Sequence, residues 1–315
     1  MAAALADCLQ VWGVENNKII FSDGSLGLCL ELNPIDVSCS DENRCNDIHE
    51  GLCSILNALP SGIDIQFIQE IKSGNAKVID EYEKLCHGAK SKVTEKLSLK
   101  RVESLRMLDS EGLLPVHKLK LLIRKPLAKS LITKKSIFSK ESLFPKITEE
   151  SLKREIKSLN RIKDDITQML SNLGLAAKIL NSDEIVKELY DQWNPCRQVG
   201  LDTYDPTDIR SDILFTPVCP SENSFSLSDM HYKVISLKIL PSQTYATMAS
   251  ILRSLPFDSK LFLSIHSPNQ TKELESLQTQ RRLAFSMVYG KQTGVSDLES
   301  EAKFQDLEEL TAQLI

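Results

Sequence analysis

No run of 18 or more consecutive apolar residues occurs in this 315-residue sequence, so no segment reads as a membrane-spanning helix. The start, Met1-Ala2-Ala3-Ala4-Leu5-Ala6-Asp7, has neither the positive beginning nor the apolar stretch of a secretory signal, and the chain is read as cytoplasmic. None of the eight cysteines, at 8, 29, 39, 45, 53, 86, 196 and 219, forms a Cys-x-x-Cys pair. That excludes a knuckle-type zinc fold and a thioredoxin-like motif, and leaves most of these residues as small apolar side chains. A P-loop is missing too. Gly290-Lys291-Gln292-Thr293-Gly294 contains Gly-Lys, but position 285, where the first glycine would stand, is Phe. Gly-x-Ser-x-Gly, His-Glu-x-x-His and kinase-type sets are absent, and the five histidines form no constellation. The sequence therefore points to no catalytic residue, no metal site and no cofactor held by this chain.

What is present begins with Ile19-Ile20-Phe21 and Leu26 to Leu32, flanking Ser22-Asp23-Gly24-Ser25. Asp-Gly between two strand-like runs predicts a hairpin turn, since glycine tolerates the positive φ of a tight turn. Lacking a lysine and sitting between strands, it is a turn and not a phosphate cradle. A helix is expected from Ser40 to about Leu59, stopped by Pro60-Ser61-Gly62, then a strand from Ile63 to Ile68. Helices over about 75–85 and 92–108 precede a strand from Val116 to Arg124. The recurrence of Leu152, Ile156, Leu159, Ile162, Ile166, Met169, Leu170 and Leu173 predicts a long helix near 148–173, and a shorter one is expected at Ser182–Trp193.

In the last third, strands are expected at Asp212–Thr216, Ser224–Leu227, His231–Leu240 and Lys260–His266, with helices at Thr244–Leu255 and Thr271–Tyr289. The fold class is α+β: two similar layers of mixed or antiparallel sheet, each with helices on one face, besides the long helix. Three segments follow, an α+β subdomain at 1–126, a basic loop with the long helical segment at 127–195, and a second α+β subdomain at 196–315.

In the cluster Cys39, Cys45, His49 and Cys53, the last three stand four apart and share one helical face. A zinc site is conceivable there, but Ile48, Leu52, Ile55 and Leu56 mark the same helix as core-facing, and the cysteines border that stripe. Charge is more informative. Between Lys84 and Lys163 stand 21 Lys and Arg against 8 Asp and Glu, a net of +13 in a chain whose total is −5, which leaves −18 for the remainder. A basic middle in an acidic chain suggests one surface aimed at an anionic partner: a phospholipid headgroup layer, an acidic protein or nucleic acid. The stretch has few aromatics, Phe138 and Phe144 being the main ones, which weakens a stand-alone nucleic-acid-binding protein as the alternative. The candidate partner- or lipid-binding residues are Lys118, Lys120, Arg124, Lys125, Lys129, Lys134 and Lys135. Strand alternation puts Lys118 and Lys120 on one side, where both are expected to be exposed, and Leu119, Leu121 and Ile123 on the other.

Several pieces in order carry a resemblance. They are Ser25-Leu26-Gly27 with Glu31-Leu32; Leu59-Pro60-Ser61-Gly62 before an Ile-x-Ile-Gln strand; Asn194-Pro195; Val234-Ile235-Ser236-Leu237 leading to Leu240-Pro241; Leu255-Pro256-Phe257; and Gln280-Arg281-Arg282-Leu283-Ala284. Together they resemble the amino-terminal part of the TraC-type conjugative pilus-assembly ATPases of type IV secretion systems. The resemblance implies an α+β domain that docks on inner-membrane secretion components, peripheral at the inner membrane; anionic lipid, suggested by the basic middle, and self-association are further candidate contacts. It also implies that ATP and Mg²⁺ belong to a carboxy-terminal RecA-like domain, which family members would have beyond Ile315. This chain is then expected to be an isolated domain or a truncated product without ATPase activity.

Overall fold

Two residues with positive φ, Asn16 (51°) and Asn17 (62°), turn strand β1 (Val11–Glu15) into β2 (Lys18–Phe21), and Gly24 (81°) turns β2 into β3 (Leu26–Leu32). These hairpins open the fold of a computed structural model that describes residues 5–35, 37, 40–72, 74–87, 91–127, 149–237, 255, 257–289 and 298–314. A short helix α1 (Leu5–Cys8) precedes them. After β3 come α2 (Glu42–Asn57), β4 (Asp64–Lys72), α3 (Ala76–Cys86), α4 (Lys92–Ser110) and β5 (Val116–Lys125). Then follow α5 (Glu149–Asn172), β6 (Ala177–Ile179), α6 (Ser182–Trp193), α7 (Arg210–Ile213), β7 (Val218–Pro220), β8 (Phe225–Leu227), β9 (Met230–Tyr232), β10 (Ser259–His266), α8 (Gln270–Tyr289) and α9 (Leu298–Leu314).

The fold is α+β. Seven strands form one sheet in the order β1-β2-β3-β5-β4-β10, with β6 added on β3, and β7-β8-β9 form a second, antiparallel sheet. The β10 edge runs antiparallel to β4, because Gln66 meets Ser264 (2.8 Å) while Glu70, four residues on, meets Lys260, four residues back (3.2 Å). At the other edge the chain around 206–209 bonds β1, with Val14 N–H donating to Pro206 O (3.0 Å) and Ile209 N–H to Trp12 O (3.0 Å). Gly13 permits that approach, since a Cβ there would stand 2.6 Å from Pro206 O. The paired edge is thereby closed to further strands.

The strand β5 shows how the sheet is covered. Its alternation sends Lys120 to one face and Lys125 to the other. Lys120 pairs with Glu188 of α6, and Lys125 with Glu155 of α5. Helices therefore lie over both faces of the large sheet, and the two sheets are unequal, in place of two similar layers each covered on one side. On the α5 face, Leu28, Leu30, Leu32, Ile65, Leu121 and Ile123 are buried, as is the Leu159, Ile162, Ile166 and Leu170 stripe of the helix. At 24 residues α5 is about 36 Å long, the expected long helix. On the α6 face, Val14, Ile19, Phe21 and Cys29 pack with Ile185, Val186, Tyr190, Ile209 and Ile213.

The chain divides into two compact units, Met1–Ile55 with Asp64–Ile265, and Leu56–Ile63 with His266–Ile315. Elements from all three expected segments, 1–126, 127–195 and 196–315, share the first unit. In the second, Ser267 N–H donates to Ile63 O (2.9 Å), and α8 packs with α9 through Arg281–Glu308 (2.7 Å) and Phe285–Phe304.

Two expected strands of the last third differ. Asp212–Thr216 instead begins with the end of α7, and 231–240 is strand-paired only at His231 and Tyr232, with 233–237 in no strand and 238–240 outside the described residues. The expected helix at 244–255 falls outside them up to 254.

Candidate functional site

Of the seven basic residues singled out from the sequence, the four on β5 do not form one open surface. Lys129, Lys134 and Lys135 lie outside the described residues. Of the four on β5, three are held by carboxylates from distant elements. Lys120 is buried, at 2.5 Å from Glu188 and 3.7 Å from Glu70, so the expected joint exposure of Lys118 and Lys120 is corrected: only Lys118 is exposed. The reason is that α6 covers this face and brings Glu188 over Lys120. Lys125 lies 2.6 Å from Glu155, both largely covered. Arg124 spans the β2–β3 turn, donating from Nη2 to Asp23 Oδ2 (2.7 Å) and from Nε to Ser25 Oγ (2.8 Å), with its guanidinium 4.6 Å from the Phe21 ring centre.

That turn is closed from within. Asp23 Oδ1 accepts from Ser25 N–H (2.9 Å) and Ser25 Oγ–H (2.6 Å). Although burial works the other way, these bonds and the Arg124 charge hold the Asp23 carboxyl below its ordinary range. A carboxylate at the centre of the loop suits a turn and repels phosphate.

The strongest electrostatic feature is Glu70 on β4. It is 5% exposed and lies 3.0 Å from Lys72, 3.2 Å from Lys260 and 3.7 Å from Lys120. Register explains the convergence: Glu70 faces Lys118 on β5, and Lys120 stands diagonally across. Burial alone would raise its carboxyl, but Lys260, Lys72 and Lys120 outweigh it and hold the pKa at about 2. Burial would lower the Lys120 ammonium, and Glu188 and Glu70 more than restore it, to above its ordinary value. Lys118 lines a shallow depression with Glu70, Lys72, Gly74 and Val116. Chemically this is a set of locked ion pairs tying β10, β4, β5 and α6 together, with Lys118 at its open rim.

Among the described residues the cysteine cluster does not assemble a ligand set. Cys53 Sγ lies 3.7 Å from His49 Nε2 on the exposed side of α2, Cys39 is outside the described residues, and no group of three metal-type ligands occurs among those described. Burial, with Glu188 adding to it, pushes the Cys29 thiol up to about 12, which keeps it protonated and unreactive. Gly290-Lys291 lies outside the described residues.

Sequence reasoning missed two surfaces. The first is in the last third, where Val234, Ile235, Leu237, Phe257, Phe262 and Leu263 are exposed, Ile235 at 85%. The second is the α3–α4 helical pair, whose two helices pack on each other through Ile79, Cys86 and Val102 and make few contacts with other elements. The signal for the first was present in the clean alternation of 231–240, which marks apolar residues without saying what covers them. No described helix is long and apolar enough to cross a membrane. No protein-family model matches the chain, and no curated protein matches it.

Proposed function

We propose that this chain is a non-catalytic docking domain that attaches a TraC-type type IV secretion ATPase to inner-membrane components of the conjugation apparatus. The observation that carries the reading is the exposed apolar set Val234, Ile235, Leu237, Phe257, Phe262 and Leu263. Exposed apolar clusters on a soluble face mark partner surfaces more often than chance solvation. The ion-pair lattice around Glu70 supports the same reading, because it stiffens the sheet whose β10 edge carries Phe262 and Leu263. In this reading the chain supplies position, and nucleotide and Mg²⁺ belong to a separate RecA-like motor domain.

A photo-crosslinking amino acid placed at Ile235 or Phe262 tests it, in cells that carry a conjugative type IV apparatus. The expected result is a crosslink to an inner-membrane protein of that apparatus, at either position and absent from a probe at buried Leu159. Crosslinks confined to soluble proteins outside the apparatus would overturn the proposal, as would steady ATP turnover by the purified chain.

A further inference from the structure

Helices α3 and α4 connect adjacent antiparallel strands β4 and β5, which a short turn would have joined. The pair is fastened at its base, where Asn75 N–H donates to the Asp109 carboxylate (2.8 Å) and Asn75 Nδ2 donates to Leu114 O. Between the helices Arg106 binds Asp80 (2.9 Å) and Glu83 (2.5 Å). The inner side of α4, with Leu99, Val102 and Leu105, packs with Ile79, Tyr82 and Cys86 of α3.

The outer side of α4 has a second pattern. Positions 93, 97, 100, 104 and 107 recur at steps of four and three, and so share the face opposite Val102. They are Val93, Leu97, Lys100, Ser104 and Met107, flanked by Lys96 and Arg101. Val93, Leu97 and Met107 are each more than half exposed. Lys96, Lys100 and Arg101 are exposed as well, against one carboxylate, Glu103, and no ion pair to these three cations forms among the described residues. A core helix has one apolar stripe; this one has a second, edged by unneutralised positive charge. Apolar residues flanked by basic ones are the pattern of a helix that lies in the headgroup layer, its charges on lipid phosphates and its apolar side chains among the upper acyl carbons.

We infer that the outer face of α4 is a docking surface for an anionic lipid membrane. Charge complementarity selects the occupant: the face is basic where a second copy of the same helix would bring cation against cation. The inference rests on the docking reading only in placing the protein at a membrane. It uses a different surface from the apolar set of the last third, and it moves lipid contact from β5, where Lys120, Arg124 and Lys125 are ion-paired, to the helical arm.

Sedimentation of the full chain with vesicles tests it, comparing phosphatidylcholine alone with phosphatidylcholine mixed with anionic phosphatidylglycerol. The expected result is binding to anionic vesicles only, lost at high salt. The double variant Lys100→Ala, Arg101→Ala should weaken it about 30-fold, two basic contacts being removed, and Leu97→Glu should weaken it as well, while Lys118→Ala leaves it unchanged. Both α4 variants change exposed positions, and unaltered circular dichroism and melting confirm that they fold. A Leu97→Trp variant supplies a second readout, a blue-shifted emission with anionic vesicles. Equal binding to neutral vesicles, no binding to either, or a loss caused by Lys118→Ala but not by the α4 variants would overturn the inference. No vesicle binding together with an intact crosslink at Ile235 would remove the lipid surface and leave the protein-docking proposal standing. Retention by an acidic protein partner without vesicle binding would reassign the face.

Discussion

Glu70 concentrates the electrostatics of the domain in one side chain, and its carboxyl gives the sharpest prediction at the residue scale. The group titrates at about 2 in the fold against 4.5 for the free side chain, so the folded pKa is depressed. Its charge therefore stabilises the fold fully above about pH 5, and that contribution is lost as pH falls through about 2. The shift corresponds to at most about 3 kcal/mol, an upper figure because the lysines relax when the carboxylate is neutralised. Glu70→Gln is expected to cost about 2–4 kcal/mol at pH 7, since three ammonium groups lose their shared partner. It should also flatten the acid side of the stability profile. Urea unfolding of both proteins at pH 7 and pH 3 checks this; a variant that loses as much stability at pH 3 as at pH 7 would refute it. Reading the sequence could name Lys120 and its strand face but not this outcome. The carboxylates that neutralise it come from residues 70 and 188, far along the chain, and charge counting within 84–163 could not include them.

At the scale of elements, the parts legible in the sequence are those whose signal is local. Asp23-Gly24 between apolar runs specifies the β2–β3 hairpin, and the stripe from Leu152 to Leu170 specifies α5. The Val116–Arg124 alternation specifies β5 and its buried Leu121 and Ile123. Asp212–Thr216 misleads because five apolar-rich residues carry no period that separates strand from helix. A tertiary clasp decides it. Asn194, 2% exposed at the end of α6, donates from Nδ2 to Tyr190 O (2.8 Å) and Ile213 O (2.9 Å). Its Oδ1 accepts from Phe215 N–H (3.3 Å) and Thr216 Oγ–H (2.9 Å). These bonds end α6 and fix the chain that leaves α7, with no strand partner needed for residues 213–216. Asn194→Ala should cost about 2–4 kcal/mol, because several buried polar groups lose their partner together. Asn194→Asp should rescue little, since it keeps the acceptor but removes both donated bonds and buries a charge. Thermal unfolding of the two variants distinguishes this clasp from simple packing, for which Asp, close in size, would be the milder change.

At the scale of the whole molecule, the α3–α4 arm and the seven-stranded sheet are separable in energetic terms. The sheet draws its core from α5 on one face and α6 with α7 on the other, and none of those residues is on the arm. The arm has its own small core of Ile79, Cys86 and Val102, closed by Asn75, Asp109 and Leu114. β4 and β5 remain in register from Asp64–Arg124 to Lys72–Val116, so the arm leaves and returns at directly paired residues. Replacing 73–115 by a tight Asn-Gly turn should therefore preserve the Glu70 contacts with Lys72, Lys120 and Lys260 and the packing around Trp193. The expected melting shift is small, a few degrees at most for a domain of this size, and near-ultraviolet dichroism from Trp12 and Trp193 should persist. Loss of the cooperative transition on deletion would show that the arm is part of the folding nucleus of the domain. Survival of the fold with loss of vesicle binding would place arm and sheet in different roles: a rigid platform that holds a partner, and a helical limb that finds the surface on which the platform rests.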